Sequence, residues 1–119
     1  ALKLYTTENN SRAYKTLIAA AYNGIEIEIA PVEMGKTNKT PEYLALNPNG
    51  KIPTLQTPEG GIWESNAIAR YVARLADKGL YGKNAFEAAE VDQWLDWVRG
   101  DLEIAGGVWL YPIFGYLPN

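Results

Sequence analysis

With 119 residues, 47% of them hydrophobic and 21% charged, the chain has the make-up of an ordinary globular protein long enough to bury a core without covalent staples. It contains no cysteine and no histidine, which excludes disulfides, thiolate catalysis, zinc-thiolate sites and histidine-based proton relays, and no apolar run approaches the length of a bilayer crossing. The net charge of -3 is uneven: nine Lys/Arg meet eight Asp/Glu through Leu80, whereas only Lys83 and Arg99 face six acids from Tyr81 onward, and no basic cluster suggests direct nucleic-acid binding.

Leu2 and Leu4 alternate with polar neighbours as a short first strand, and Thr6 to Asn10 read as a polar turn. Asn10 or Ser11 can then cap a helix whose apolar positions Tyr14, Leu17, Ile18 and Ala21 follow helical spacing up to Gly24, a C-terminal stop. Ile25, Ile27 and Ile29 alternate with Glu26 and Glu28 as a half-exposed strand, and a polar loop runs from about Pro31 to Lys39. Thr40-Pro41-Glu42 sets a cap before a proline at the first helical position, opening a short helix through Leu46. Residues from Ile52 to Gln56 and Ile62-Trp63 predict an antiparallel hairpin around Thr57-Pro58-Glu59-Gly60-Gly61, after which Ser65 caps a helix carrying Ile68, Tyr71, Val72 and Leu75 on one face. The order is βαβ-α-ββα, an α/β domain over residues 1–80 that ends at Asp77-Lys78-Gly79, with a short linker through Lys83-Asn84.

From Ala85 the sequence predicts a longer helix with Phe86, Val91, Trp94, Leu95, Val98 and Leu102 as apolar positions, weakened or ended by Gly100 and Gly106-Gly107. The tail from Val108 to Phe114 is strongly apolar, so residues 85–119 read as the start of a second, helical domain that is incomplete here. Trp94, Trp97 and Trp109 are expected to pack, and Asp92 and Asp96, one turn apart without a third ligand, make a poor metal site.

Chemistry concentrates in Asn49-Gly50-Lys51-Ile52-Pro53-Thr54-Leu55 and in Ile62-Trp63-Glu64-Ser65-Asn66-Ala67-Ile68. An X-Pro bond has only a small trans preference, so Ile52-Pro53 can be held cis, turning the Ile52 amide and carbonyl outward as an exposed backbone edge. Ser65 at a helix N-terminus offers a hydroxyl and backbone amides to an anion. Plainer readings stand beside these: Pro53 as a strand-starting proline, Ser65 as a cap, Glu64 as a complement to the helix dipole and Lys51 as a solvated loop charge.

These residues, with Leu4-Tyr5-Thr6 and Arg12-Ala13-Tyr14-Lys15-Thr16-Leu17-Ile18-Ala19-Ala20, resemble the glutathione transferase superfamily. Lys36-Thr37-Asn38-Lys39-Thr40-Pro41-Glu42-Tyr43-Leu44 and the short first loop are similar to its translation elongation factor 1 gamma branch. The resemblance implies a thioredoxin-like βαβ-α-ββα domain over residues 1–80, followed from Ala85 by the opening of the all-helical transferase C-terminal domain. It implies a glutathione site in which Ile52 pairs with the cysteinyl backbone, Pro53 shapes that edge, Ser65 and Glu64 hold the γ-glutamyl carboxylate and ammonium, and Lys51 meets the glycyl carboxylate. No catalytic residue carries over. The tyrosine of tyrosine-type enzymes falls at Thr6, leaving Tyr5 on the opposite face as an expected core residue, and Ser11 matches a helix cap better than a thiol-activating serine.

The function implied is a scaffold subunit of the elongation factor 1 complex that anchors the beta-type nucleotide-exchange subunit, with a homodimer as the expected assembly, no required cofactor and glutathione as a possible ligand. The alternative is an active cytosolic transferase conjugating glutathione to electrophiles, and a transferase-like appendage of an aminoacyl-tRNA synthetase complex is a third reading. Absence of disulfides and of a signal-peptide core at Ala1-Leu2-Lys3-Leu4-Tyr5 makes the cytoplasm the expected location.

Overall fold

The computed structural model describes residues 1–118; Asn119, the expected end of the helical segment, lies outside them. Two compact units divide after Leu80. The first is built on a mixed four-stranded sheet in the order β2-β1-β3-β4, with β1 (Leu2–Thr6) parallel to β2 (Ile27–Pro31) and antiparallel to β3 (Thr54–Thr57), which continues antiparallel into β4 (Gly60–Trp63). Helix α1 (Ser11–Asn23) is the crossover that joins the parallel strands β1 and β2, α2 (Pro41–Leu46) lies between β2 and β3 in sequence, and α3 (Ser65–Arg74) follows β4. This is the thioredoxin-like arrangement of the transferase N-terminal domain, as the element order implies.

Alternation along the strands sorts the two faces. Leu4 and Leu55 are paired across β1 and β3 and are both fully buried, joined by Ala13, Ala19 and Ala20 of α1 and by Ile68 and Val72 of α3. Tyr5 and Thr54, one residue on, point to the other face, where α2 supplies Tyr43. Helix α2 runs so close to β4 that a Cβ on Gly61 would lie 2.2 Å from the Leu46 carbonyl oxygen.

Three local differences from the sequence reading have identifiable causes. The buried stripe of α1 is Ala13, Thr16, Ala19, Ala20 and Asn23, whereas Tyr14, Ile18 and Tyr22 are exposed, because α1 and α3 approach through small side chains. Asn23 completes that contact by donating to the Val72 and Ala73 carbonyls at 2.9 and 3.1 Å, beside the Leu75 N–H that also donates to Val72 O at the end of α3. Strand β2 begins at Ile27 rather than Ile25 because Ile25 N–H still donates to Ala20 O, beside the left-handed Gly24 that closes α1. Tyr5 is half-buried against Tyr43, outside the main core.

The second unit is one helical run, α4 (Ala85–Trp97), a π-helical turn over Val98–Leu102, and α5 (Glu103–Phe114). Asn84 caps α4 by accepting from Glu87 N–H, and the Glu87 carboxylate accepts from Lys83 N–H. Gly100 sits in the π turn, but Gly106 and Gly107 do not stop the helix: a helical glycine costs about 1 kcal/mol and leaves the hydrogen-bond ladder intact. Trp94, Trp97 and Trp109, expected as core or subunit contacts, are exposed among the described residues, and Trp94 and Trp97 meet edge-to-face at 5.8 Å.

Leu55→Ala, at the centre of the sheet, is expected to lower unfolding free energy by about 2–5 kcal/mol in urea titrations, while Ile18→Ala on the exposed face of α1 changes it by less than about 0.5 kcal/mol.

Candidate functional site

The strand pairings gather the chemically interesting loops at one end of the sheet. Thr54 pairs with both Tyr5 and Trp63, and Thr6 with Pro31. The residues just beyond these pairs therefore leave the sheet together: Thr7 to Asn10 after β1, Val32 onward after β2, Lys51-Ile52-Pro53 before β3, and Glu64-Ser65 after β4. All five residues singled out from the sequence lie in this group.

Lys51 is exposed, Ile52 half-buried and Pro53 buried, and the Ile52-Pro53 bond is cis. The loop before them is tied down by side chains that pattern reading passed over. Lys51 O lies 2.5 Å from the Tyr43 hydroxyl, 3.0 Å from Asn47 Nδ2 and 3.1 Å from Thr54 Oγ1. Tyr43 and Thr54 hydroxyls are 2.8 Å apart, and Asn47 Nδ2 also donates to Thr54 Oγ1 at 2.9 Å. Counting protons closes the network: Asn47 gives one to Lys51 O and one to Thr54, Thr54 gives its own to Tyr43, and Tyr43 fills the second lone pair of Lys51 O. A step earlier, Asn38 Nδ2 donates to Gly50 O at 2.8 Å while its Oδ1 accepts from Gly35 N–H at 2.6 Å, joining this loop to the one after β2. Gly50 itself has φ +61°, and a Cβ there would sit 3.0 Å from Asn38 O, so both conformation and space call for glycine.

Burial of Tyr43 pushes its phenol above the ordinary tyrosine value of 10.0; the Thr54 hydrogen bond opposes this and Tyr5 adds to it. The neutral hydroxyl needed by Lys51 O is thus favoured. Nothing in periodicity announced that Asn38, Tyr43, Asn47 and Thr54 would converge.

Across the same end, Ser65 is the first residue of α3 rather than its cap. Glu64 occupies the cap position with φ 74° and ψ 116°, a conformation uncommon for a residue with a side chain, and gives the first turn no side-chain acceptor. The cap expected at Ser65 is absent because Ser65 stands one position inside the helix. Asn10, Thr40 and Asn84 each cap their own helices, so α3 stands apart. Ser65 is buried, and no protein hydrogen bond engages its hydroxyl among the described residues. The Lys15 ammonium donates to the Asn66 side-chain oxygen, tying the start of α3 to α1. Asn10 accepts from Arg12 N–H at 2.9 Å and is the cap of α1, leaving Ser11 inside the helix. Among the described residues no group of three acidic, histidine or cysteine side chains could hold a metal ion, and no helix is long and apolar enough to cross a membrane.

The described chemistry is a backbone edge at Ile52 beside an uncapped helix N-terminus with a hydroxyl, an arrangement suited to an extended ligand with an anionic end. Residues 1–74 match the family model for the glutathione S-transferase N-terminal domain. Elongation factor 1-gamma of Prunus avium is 55% identical over 98% of this chain, which spans about 28% of that relative's length. Among solved structures, a delta-class glutathione transferase of Nilaparvata lugens superposes with a TM-score of 0.88 at 30% identity, covering 99% of this chain and 57% of the other. A theta-class glutathione S-transferase of Xanthomonas axonopodis pv. citri, solved with glutathione bound, gives 0.76 at 37% identity over 85% of this chain and 49% of the other.

Asn47→Ala is expected to destabilise the protein by about 1–3 kcal/mol in urea unfolding, since it leaves the Lys51 carbonyl and Thr54 hydroxyl short of a donor. Because the Tyr43 phenol titrates higher folded than unfolded, its contribution is fully present below pH 10 and lost as pH rises through the folded value. Comparing stability curves above pH 10, Tyr43→Phe should decline less steeply than the parent.

Proposed function

The chain belongs to the glutathione S-transferase N-terminal domain family, and from that premise we propose that it is the transferase-like scaffold region of a translation elongation factor 1 gamma subunit. The observation that carries this reading is the contrast between 55% identity to an elongation factor 1-gamma over nearly the whole chain and 30–37% identity to transferases of the same fold. Fold alone does not choose between them. In this reading residues 85–119 open an all-helical C-terminal domain, the subunit anchors the beta-type nucleotide-exchange subunit in the cytoplasm, and the transferase-like region pairs with a second copy. The exposed tryptophans of α4 and α5 suit contacts made within that larger assembly.

The site keeps the capacity to hold glutathione. Ile52 offers its backbone, Pro53 shapes the edge, Ser65 offers a hydroxyl and the positive end of α3 to the γ-glutamyl carboxylate, Glu64 receives the adjacent ammonium, and Lys51 pairs with the glycyl end. No side chain at this end of the sheet has been assigned to thiolate stabilisation, so the reading is of a binding site with weak or vestigial turnover. A second reading, an active transferase, draws support from the open Ser65 hydroxyl and the uncapped α3.

The two readings separate with the intact gene product. The scaffold reading expects stoichiometric capture of the exchange subunit in a pull-down and little conjugation of glutathione to a generic electrophile. Robust turnover that Ser65→Ala abolishes, with no captured exchange subunit, would instead establish the enzyme.

A further inference from the structure

On the sheet face opposite α1 and α3, a cleft of about 340 Å³ opens between α2 and strands β1 and β3, lined by Tyr5, Thr37, Thr40, Glu42, Tyr43 and Gln56. None of the five glutathione-site residues lines it. Its floor is aromatic: the Tyr5 and Tyr43 rings meet edge-to-face at 5.5 Å and 89°. Its polar atoms are mostly acceptors. Tyr5 spends its one proton on Gln56 Oε1 at 3.0 Å, which leaves lone pairs on both oxygens, and the Thr37 hydroxyl accepts from Glu33 N–H at 3.0 Å. Thr40 Oγ1 spends its proton on Thr37 O at 2.9 Å.

Glu42 contributes a full negative charge at the rim. It is exposed, and no ion pair engages it among the described residues. Two cations are directed elsewhere, Lys36 lying 2.8 Å from Glu33 and Lys3 lying 3.6 Å from Glu28, while Lys39, three residues before Glu42, is exposed and makes no ion pair with Glu42 among the described residues. A carboxylate lining the same cleft as two tyrosine rings and several acceptors, with the Gln56 side-chain NH2 as a donor among them, disfavours phosphates and carboxylates and attracts a donor-rich cation. The volume falls at the small end of ligand pockets, roughly 300–1,000 Å³, and suits one side chain better than a nucleotide.

We propose that this cleft receives the guanidinium of an arginine side chain presented by a partner protein. Arginine carries five donors and no acceptor, its plane stacks on aromatic surface, and it is more weakly hydrated than the ammonium of lysine. The inference stands on the cleft alone and is independent of the glutathione reading.

The test is a saturation-transfer NMR titration of the full-length gene product with Nα-acetyl-arginine amide, set against the uncharged isostere Nα-acetyl-citrulline amide and against Nα-acetyl-lysine amide. Saturable binding of the arginine probe, at least fivefold tighter than either comparator and weakened at least fivefold by Glu42→Gln, is the expected result. Glu42 is exposed, so the variant should keep the parent's melting temperature, which is measured alongside. Absence of saturable binding, equal binding of citrulline or lysine, or indifference to Glu42→Gln would overturn the proposal.

Discussion

The carbonyl oxygen of Lys51 is the point on which the candidate site depends. It belongs to a loop with no ladder partner of its own, and a partly buried backbone acceptor in such a place must find donors or destabilise the fold. Tyr43 and Asn47, from α2 and the turn after it, provide them, and Thr54, from the start of β3, holds both by hydrogen bonds to its hydroxyl. The result locks a short helix, a turn and a central strand around one atom. Ile52, the next residue, therefore has its backbone direction set by groups on three segments, and the candidate edge inherits the rigidity of the sheet.

Much of the first unit could be read from residue pattern, and the reasons are local. Alternation announced β1 and the hairpin, Thr40-Pro41 announced α2, and Ile68 with Val72 announced the buried face of α3. Pattern failed where tertiary packing outweighed hydrophobicity. On α1 the larger side chains Tyr14, Ile18 and Tyr22 lost the interior to Ala13, Thr16 and Ala20, because a close helix crossing rewards small volume over apolar area. Ile25 was drawn into the closing turn of α1, which no strand periodicity could reveal. The residues gathered at this end of the sheet were legible and their supports were not: Asn38, Tyr43 and Asn47 act through three-dimensional convergence, and polar residues in loops carry no spacing signature.

The second unit shows the limit of the same reasoning from the other side. Its glycines argued for a weakened or ended helix, yet helix continues to Phe114 with a π turn over the Arg99-Gly100-Asp101 segment. Local cost there is modest against a continuous hydrogen-bond ladder. A helix apolar on every side is the mark of an element meant for burial, and within the described residues α5 has only one buried position, Gly107. The first unit thus carries the candidate site on a packed sheet, while the apolar side chains of α5 are largely uncovered among the described residues.

The account is tested most directly by titrating glutathione into the ¹⁵N-labelled full-length gene product and following the Ile52 and Ser65 amides together, in the parent and in Tyr43→Phe. It predicts that both resonances move saturably with one dissociation constant, and that loss of the Tyr43 hydroxyl weakens that constant while the spectrum elsewhere keeps its folded dispersion. Amides that stay still at saturating glutathione, or that move identically in the variant, would contradict it.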